Sequence, residues 1–224
     1  HICEYMNMSI DVKPNFQWTE SFMTKKPFLK EDSVRTLTKE MQEKMTPLEA
    51  IELLRKGNER FVNNMKVNRN LSQQVNETRD GQHPFAVVIS CMDSRAPVEL
   101  IFDQGLGDVF SIRIAGNIIN DDILGSSEFA CTVAGAKAVV VLGHTNCGAI
   151  KGAIDGVEMG NLGSVLNKIQ FSIPKKDRAF SDLSADEKRH WVTKANVFHS
   201  MSEIRNRSGL LRDLELSGEI VLVG

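Results

Sequence analysis

The sequence predicts an α/β fold: a parallel β-sheet core of about four strands flanked by helices, with an N-terminal helical arm. Two observations carry that expectation. Four short runs, "FAVVIS" (85–90), "VFSIRI" (109–114), "KAVVVLG" (137–143) and "EIVLVG" (219–224), are largely apolar and rich in β-branched residues, the mark of strands in a buried sheet. Helical patterns fall between them, and strands alternating with helices argue for a parallel sheet covered on both sides. A chain of 224 residues suits one substantial domain with an appendage better than two large domains.

Residues 1 to about 33 are polar, dotted with aromatics and aperiodic, an irregular arm that is either disordered or lies on a partner. The division expected is an arm over residues 1–45 and one folded domain over 46–224. That domain opens with a helix in "MTPLEAIELLRKGNERFVNN": Thr46 is its N-cap, Pro47 its first residue and Glu49 completes a capping box. Apolar positions 50, 51, 53, 54, 61 and 62 give it one buried face. A polar connector, residues 65–82, leads to the first strand. A helical pattern covers 121–135, and another begins with the capping box of Ser184 and Glu187 and runs on to Ile204.

With 42% apolar and 25% charged residues, and 27 Lys and Arg against 29 Asp and Glu, nothing calls for nucleic acid or an anionic membrane as partner. Apolar runs are strand-length, far short of a membrane span. Four cysteines at positions 3, 91, 131 and 147 lack the density of a disulfide-stapled domain, which favours a reducing compartment. The cytoplasm is expected; an organelle or the periplasm stays open because the first residue is not an initiator methionine.

Ligands of open parallel sheets bind beyond the carboxyl ends of the strands. There the sequence places Cys91, after "AVVIS", and His144 with Cys147 in "GHTNCG", after "VVVLG". The H-x-x-C spacing lets both side chains face one point, and Cys91 reaches it if the two strands are neighbours. Two thiolates and an imidazole suit Zn2+, and three protein ligands leave a fourth position open for water, whose pKa falls towards roughly 7. Cys147, at a helix start, is helped to its thiolate by the helix dipole. Alone, a Cys closing an apolar strand is more often a small buried hydrophobe than a ligand. Cys131, on a helical apolar face, and Cys3 fit that plainer role, while His83, His190 and His199 have no ligand neighbours.

Asp93 and Arg95, two and four residues beyond Cys91, are either a surface ion pair or the pair that aims the metal's water, with Arg95 keeping Asp93 ionised. Rival motifs fail on spacing. Gly143 to Gly148 continues as Ala149-Ile150 where a phosphate-binding loop needs Lys and Ser or Thr, "GLGDVF" lacks a third dinucleotide-binding glycine, and no C-x-x-C is present.

"CMDSR" followed about fifty residues later by "GHTNCG" resembles the β-class carbonic anhydrases, over roughly residues 46–224. The resemblance implies Cys91, His144 and Cys147 as ligands of one Zn2+ per subunit, and Asp93 with Arg95 as the catalytic dyad. It implies reversible hydration of CO2 to bicarbonate by zinc-bound hydroxide, and a homo-oligomer, a dimer or dimer of dimers, with the N-terminal helices packed on a partner subunit. Gln82 is similar to a family glutamine that hydrogen-bonds substrate across the dimer interface, and Phe110, Ala115, Phe129 and Gly148 fall where the family lines its CO2 pocket. Ala115 stands where valine is common and Phe129 where tyrosine is common; core packing is the alternative role for both phenylalanines. One subgroup closes its zinc with the dyad aspartate and binds bicarbonate near a tryptophan, an arginine and a tyrosine. Val88 occupies the tryptophan position, although Arg113 matches the arginine, so the open form is expected. The ending "EIVLVG" predicts a missing C-terminal segment that in the family extends the sheet. Two alternatives remain: a zinc hydrolase of carbon disulfide or carbonyl sulfide on the same scaffold, and a non-catalytic zinc-stabilised assembly protein.

Overall fold

A computed structural model describes residues 35–174 and 177–224. Its elements run in the order α1 (Lys39–Lys44), α2 (Pro47–Val62), α3 (Leu71–Glu77), β1 (Ala86–Ser90), α4 (Val98–Ile101), β2 (Val109–Arg113), α5 (Asp121–Glu128), β3 (Ala138–Leu142), α6 (Gly148–Ile154), α7 (Leu162–Ile169), α8 (Arg178–Ser181), α9 (Ala185–Arg207), α10 (Gly209–Ser217) and β4 (Val221–Val223). The four strands form one parallel sheet in the order β2-β1-β3-β4. All four predicted strands are therefore present, each trimmed by one to three residues.

Alternation along the strands divides the core into two layers. Ala86, Val88, Ala138, Val140, Val221 and Val223 face one way, towards Ala50, Ile51 and Leu54 of α2 and Val98 and Ile101 of α4. Val87, Ile89, Val139, Val141 and Leu222 face the other way, towards Ile123 and Leu124 of α5, Met201 and Ile204 of α9 and Leu211 of α10. With every residue of β1 buried, each Val or Ile contributes about 1.5–3 kcal/mol of transfer free energy, and a one-residue slip would reverse both layers.

Both capping boxes form as the sequence predicts. Thr46 accepts from the Glu49 amide, Ser184 accepts from the Glu187 amide, and each glutamate accepts in return from its cap backbone. Within α2, Gly57 and Asn58 are buried, and the Asn58 side chain donates to the Ile101 carbonyl. A Cβ at Gly57 would stand 1.7 Å from the Phe102 carbonyl oxygen, so only glycine lets α2 approach the end of α4 this closely.

Three expectations change. The polar connector contains α3, capped by Asn70, whose side chain accepts from the Gln73 amide. Its apolar Leu71 and Val75, four residues apart, are exposed while Gln74 is buried, so the face that packs is not the apolar one. The helix expected over 121–135 ends at Glu128 and continues as a π-helical turn, Phe129–Val133. Residues 37–45, assigned to the arm, belong to the core: Leu37 and Met45 are buried in the α2 layer, and Gln42 donates to the carbonyls of Pro84 and Ala134. The rest of the arm, residues 1–34, lies outside the described residues.

A buried ion cluster ties the connector to α4. Asp103, 3% exposed, accepts from Arg69 and Arg60 at 2.5 Å each and from the Val67 amide. Burial raises its pKa, but the two guanidinium bonds and that amide outweigh burial and hold it below the ordinary value. Asp103→Asn leaves Arg69 buried without its counter-charge and is expected to cost about 3 kcal/mol or more at pH 7 by urea denaturation. Because the folded pKa is depressed, this stabilisation is present above the unfolded value of about 3.9 and disappears as pH falls through the folded pKa. The gap between parent and variant should accordingly narrow below about pH 4.

Candidate metal centre

The sheet order fixes where a site can form. From β1 the chain turns to β2 on one side and then crosses to β3 on the other, so the crevice between opposed connections opens at the carboxyl ends of β1 and β3. Ser90 and Leu142 are paired in register there. One residue beyond the first comes Cys91; just beyond the second come His144 and Cys147, the latter at the N-cap of α6. Asn146, at φ 55°, supplies the left-handed step that turns "GHTNCG" back on itself.

The Cys91 and Cys147 sulfurs are 3.8 Å apart, and one ligand atom from each of Cys91, His144 and Cys147 lies within 4.8 Å of the others. Two thiolates about 2.3 Å from one tetrahedral ion stand about 3.8 Å apart, so the spacing fits a shared metal. His144 adds an independent sign. Its Nδ1 is paired with the Thr145 carbonyl at 2.9 Å, which places the proton there and leaves Nε2 with a free lone pair. That Nε2 is buried with no hydrogen-bond partner, a costly arrangement that a metal ion would satisfy.

Electrostatics separate the two thiols. The neighbouring Cys147 thiol, the His144 ring and the Gly116 and Asp93 amides stabilise negative charge on Cys91 and lower its pKa against the opposing effect of burial. Cys147, expected from its place at a helix start to be helped towards its thiolate, is instead pushed up, because it lies beside that charge and is buried. Burial opposes charging of His144, but its contact with Cys91 and the nearby Asp93 carboxylate lift its pKa above the ordinary value. Cys131 shows the contrast of a thiol without such neighbours: burial alone pushes it up to about 12.

Asp93 and Arg95 form a closed pair. Arg95 donates through Nε to Asp93 Oδ1 at 2.9 Å, through its terminal nitrogen to Oδ2 at 2.8 Å, and through its backbone amide to Oδ1 at 2.9 Å. These bonds hold the Asp93 carboxyl well below the usual carboxylate range. Its Oδ2 lies 4.0 Å from His144 Nε2, beside the three ligands and not among them.

Arg113 is the functional residue whose role sequence reasoning missed. At the end of β2, paired with Ser90, it donates to the carbonyls of Cys91 (3.1 Å) and Asp93, clamping the loop that carries both. Only strand register could have revealed this. Of the remaining predicted residues, Ala115 and Gly148 adjoin the centre, Ala115 preceding the Gly116 amide that donates to Cys91 and Gly148 following Cys147. Phe110 pairs with Val87, four residues and about 13 Å back along the sheet from Cys91. It meets Phe129 edge-on at 6.5 Å, and Phe129 is 54% exposed. Gln82 is exposed. These three are not brought to the chain's own ligands.

A family model described as carbonic anhydrase matches residues 86–224. Carbonic anhydrase 2 of Mycobacterium tuberculosis is 35% identical over 187 residues, covering 80% of this chain and 86% of that protein. Among solved structures, the β-carbonic anhydrase CafA of Aspergillus fumigatus is similar at 29% identity with a TM-score of 0.61, over 67% of this chain and 74% of that one. A carbon disulfide hydrolase of Acidithiobacillus thiooxidans is 35% identical over 77 residues, 32% of this chain and 36% of that protein.

Removal of one ligand should open the centre. Cys147→Ser and His144→Ala are expected to lose a divalent metal on dialysis against a chelator that leaves the parent loaded, whereas Cys131→Ser should retain it. Metal analysis of the dialysed proteins distinguishes these outcomes.

Proposed function

Since the chain belongs to the β-class carbonic anhydrase family, we propose that it catalyses the reversible hydration of carbon dioxide to bicarbonate and a proton, with one Zn2+ held by Cys91, His144 and Cys147. The observation that carries the proposal is the Asp93–Arg95 pair beside a three-ligand cluster, because a purely structural metal needs no ionised carboxylate next to its ligands. Zinc bound by three protein groups supplies Lewis acidity that brings a water at its fourth position to a pKa of about 7.

The chain's own residues do the rest. Asp93, held ionised by Arg95, can only accept hydrogen bonds, so it orients the attacking water with a lone pair towards the substrate carbon. Because both its oxygens are engaged by Arg95, Asp93 would not be free to serve as a fourth ligand, and the open form is the one we propose. Ile118, Ile150, Leu166, Ile169, Phe180 and Val192 pack in one cluster with Cys91 and Cys147, an apolar wall suited to a small apolar substrate.

Gln82, Phe110 and Phe129 lie away from the chain's own ligands, and we assign them to the centre of a second copy in a homodimer or dimer of dimers, with Ala115 and Gly148 lining the pocket from within. The arm is proposed to pack on that partner. Free thiols at Cys91, Cys131 and Cys147 suit a reducing compartment, and the cytoplasm is the one proposed. Similarity to a carbon disulfide hydrolase supports a second reading, hydrolysis of that substrate on the same centre.

Stopped-flow measurement with zinc-loaded protein, on CO2 and in parallel on carbon disulfide, tests both. Expected is CO2 hydration rising between about pH 6 and 8 as the metal's water ionises, with kcat reduced about 10–100-fold in Asp93→Asn and in Arg95→Met. Zinc-replete protein without CO2 hydration across that range would refute the proposal, and turnover of carbon disulfide alone would install the second reading.

A further inference from the structure

The face that α9 turns into the protein is a stripe at four-residue spacing: Val192, Asn196, Ser200 and Ile204, all buried. Its ends are apolar, but the two middle residues are polar, with Asn196 1% and Ser200 2% exposed. Burying an amide and a hydroxyl is unfavourable unless each finds a partner. Asn196 Nδ2 donates to the Gly116 carbonyl at 2.8 Å, and Ser200 Oγ donates to the Asn117 carbonyl at 3.0 Å. The Ser172 hydroxyl, at 3.4 Å from Asn196 Oδ1, orients the amide so that its donor end faces Gly116.

Gly116 and Asn117 are consecutive residues in the left-handed region, at φ 70° and 42°. This conformation costs about 1–2 kcal/mol at a residue with a side chain and persists only where the surroundings hold it. On the side of Gly116 where a Cβ would project, Ile169 and Ala149 close in: that Cβ would stand 2.6 Å from Ile169 Cδ1. Gly116 is thus held between α9, which binds its carbonyl, and the side chains of Ile169 and Ala149, while its N–H, in the preceding peptide unit, donates to Cys91 Sγ at 3.4 Å.

We infer that Asn196 and Ser200 are positioning residues: α9 clamps the Gly116–Asn117 backbone so that the Gly116 N–H stays aimed at the Cys91 sulfur, and so sets how strongly that sulfur donates to a bound metal. The inference rests on the metal-centre reading. A hydrogen bond to a thiolate withdraws charge from sulfur, which makes it a weaker donor and leaves the ion a stronger Lewis acid. Without the clamp the backbone at Gly116 is free to shift and its N–H moves out of line with Cys91; the sulfur regains charge, and its electrons would transfer to a bound metal at lower energy.

Cobalt-loaded protein reports this directly through its thiolate-to-metal charge-transfer absorption. Asn196→Leu and the milder Asn196→Ser should move that band to lower energy and reduce hydration kcat with KM unchanged; Ser200→Ala should move it less. Met201→Ala, which opens a cavity in the same helix against the sheet and touches neither carbonyl, should lower thermal stability and leave the band in place. A band unmoved in both Asn196 variants with cobalt bound, or moved equally in Met201→Ala, overturns the inference while leaving the metal centre intact. Absence of any charge-transfer band in the cobalt-treated parent would overturn the metal centre and this inference with it.

Discussion

The parallel pairing of β1 with β3 is the contact from which the site follows. Ser90 opposite Leu142 sets the two strand ends level, and the next few residues of each chain segment then bring Cys91, His144 and Cys147 within 4.8 Å of one another. Registers of this kind are hard to slip, because both faces of each strand are buried and a one-residue shift would turn every side chain to the wrong layer. The same sheet order places the change of connection direction between these two strands, so the crevice and the ligands coincide.

Around that contact, hydrogen bonds are distributed by the charge each group must carry. Cys91, the thiol favoured as thiolate, receives the Gly116 amide, and Asp93 receives three donors from Arg95. His144 spends its one proton on the Thr145 carbonyl, leaving the nitrogen that faces the thiols bare. Arg113 ties the intervening backbone through two carbonyls. Apolar side chains from α6, α7, α8 and α9 then wall off the ligands, and in the lower local dielectric each of these polar bonds gains strength.

The two layers of the fold take different shares. Beneath the sheet, the α2 layer is held by apolar packing, by the Thr46–Glu49 capping box that starts α2, and by the Asp103 ion cluster that locks the connector against α4. Opposite, α9 both covers the sheet with Met201 and Ile204 and reaches the loop after β2 with Asn196 and Ser200. Stability and site geometry therefore meet in one long helix, and its polar middle residues are comprehensible only as partners for carbonyls that a left-handed turn leaves open.

Much of this was written in local pattern. Runs rich in β-branched residues announced all four strands, Thr46 and Ser184 with their glutamates announced the starts of α2 and α9, and the residue types in "CMDSR" and "GHTNCG" announced a cluster able to hold a metal, because each signal depends on neighbours a few positions apart. What tertiary structure alone decided was everything carried by long separations. The order β2-β1-β3-β4 determines that Cys91 and Cys147, 56 positions apart, meet at 3.8 Å. Register determines that Arg113 lies beside Ser90 and reaches the loop carbonyls. Packing determines that Gln74 is buried while Leu71 and Val75 of the same short helix are exposed, and that Asn196 of α9 meets Gly116, 80 positions earlier. The reason is physical: a backbone hydrogen bond or cap is specified by the residues that make it, whereas which distant segments pack together is set by the burial of whole faces, and no single stretch of sequence contains both sides of such a contact.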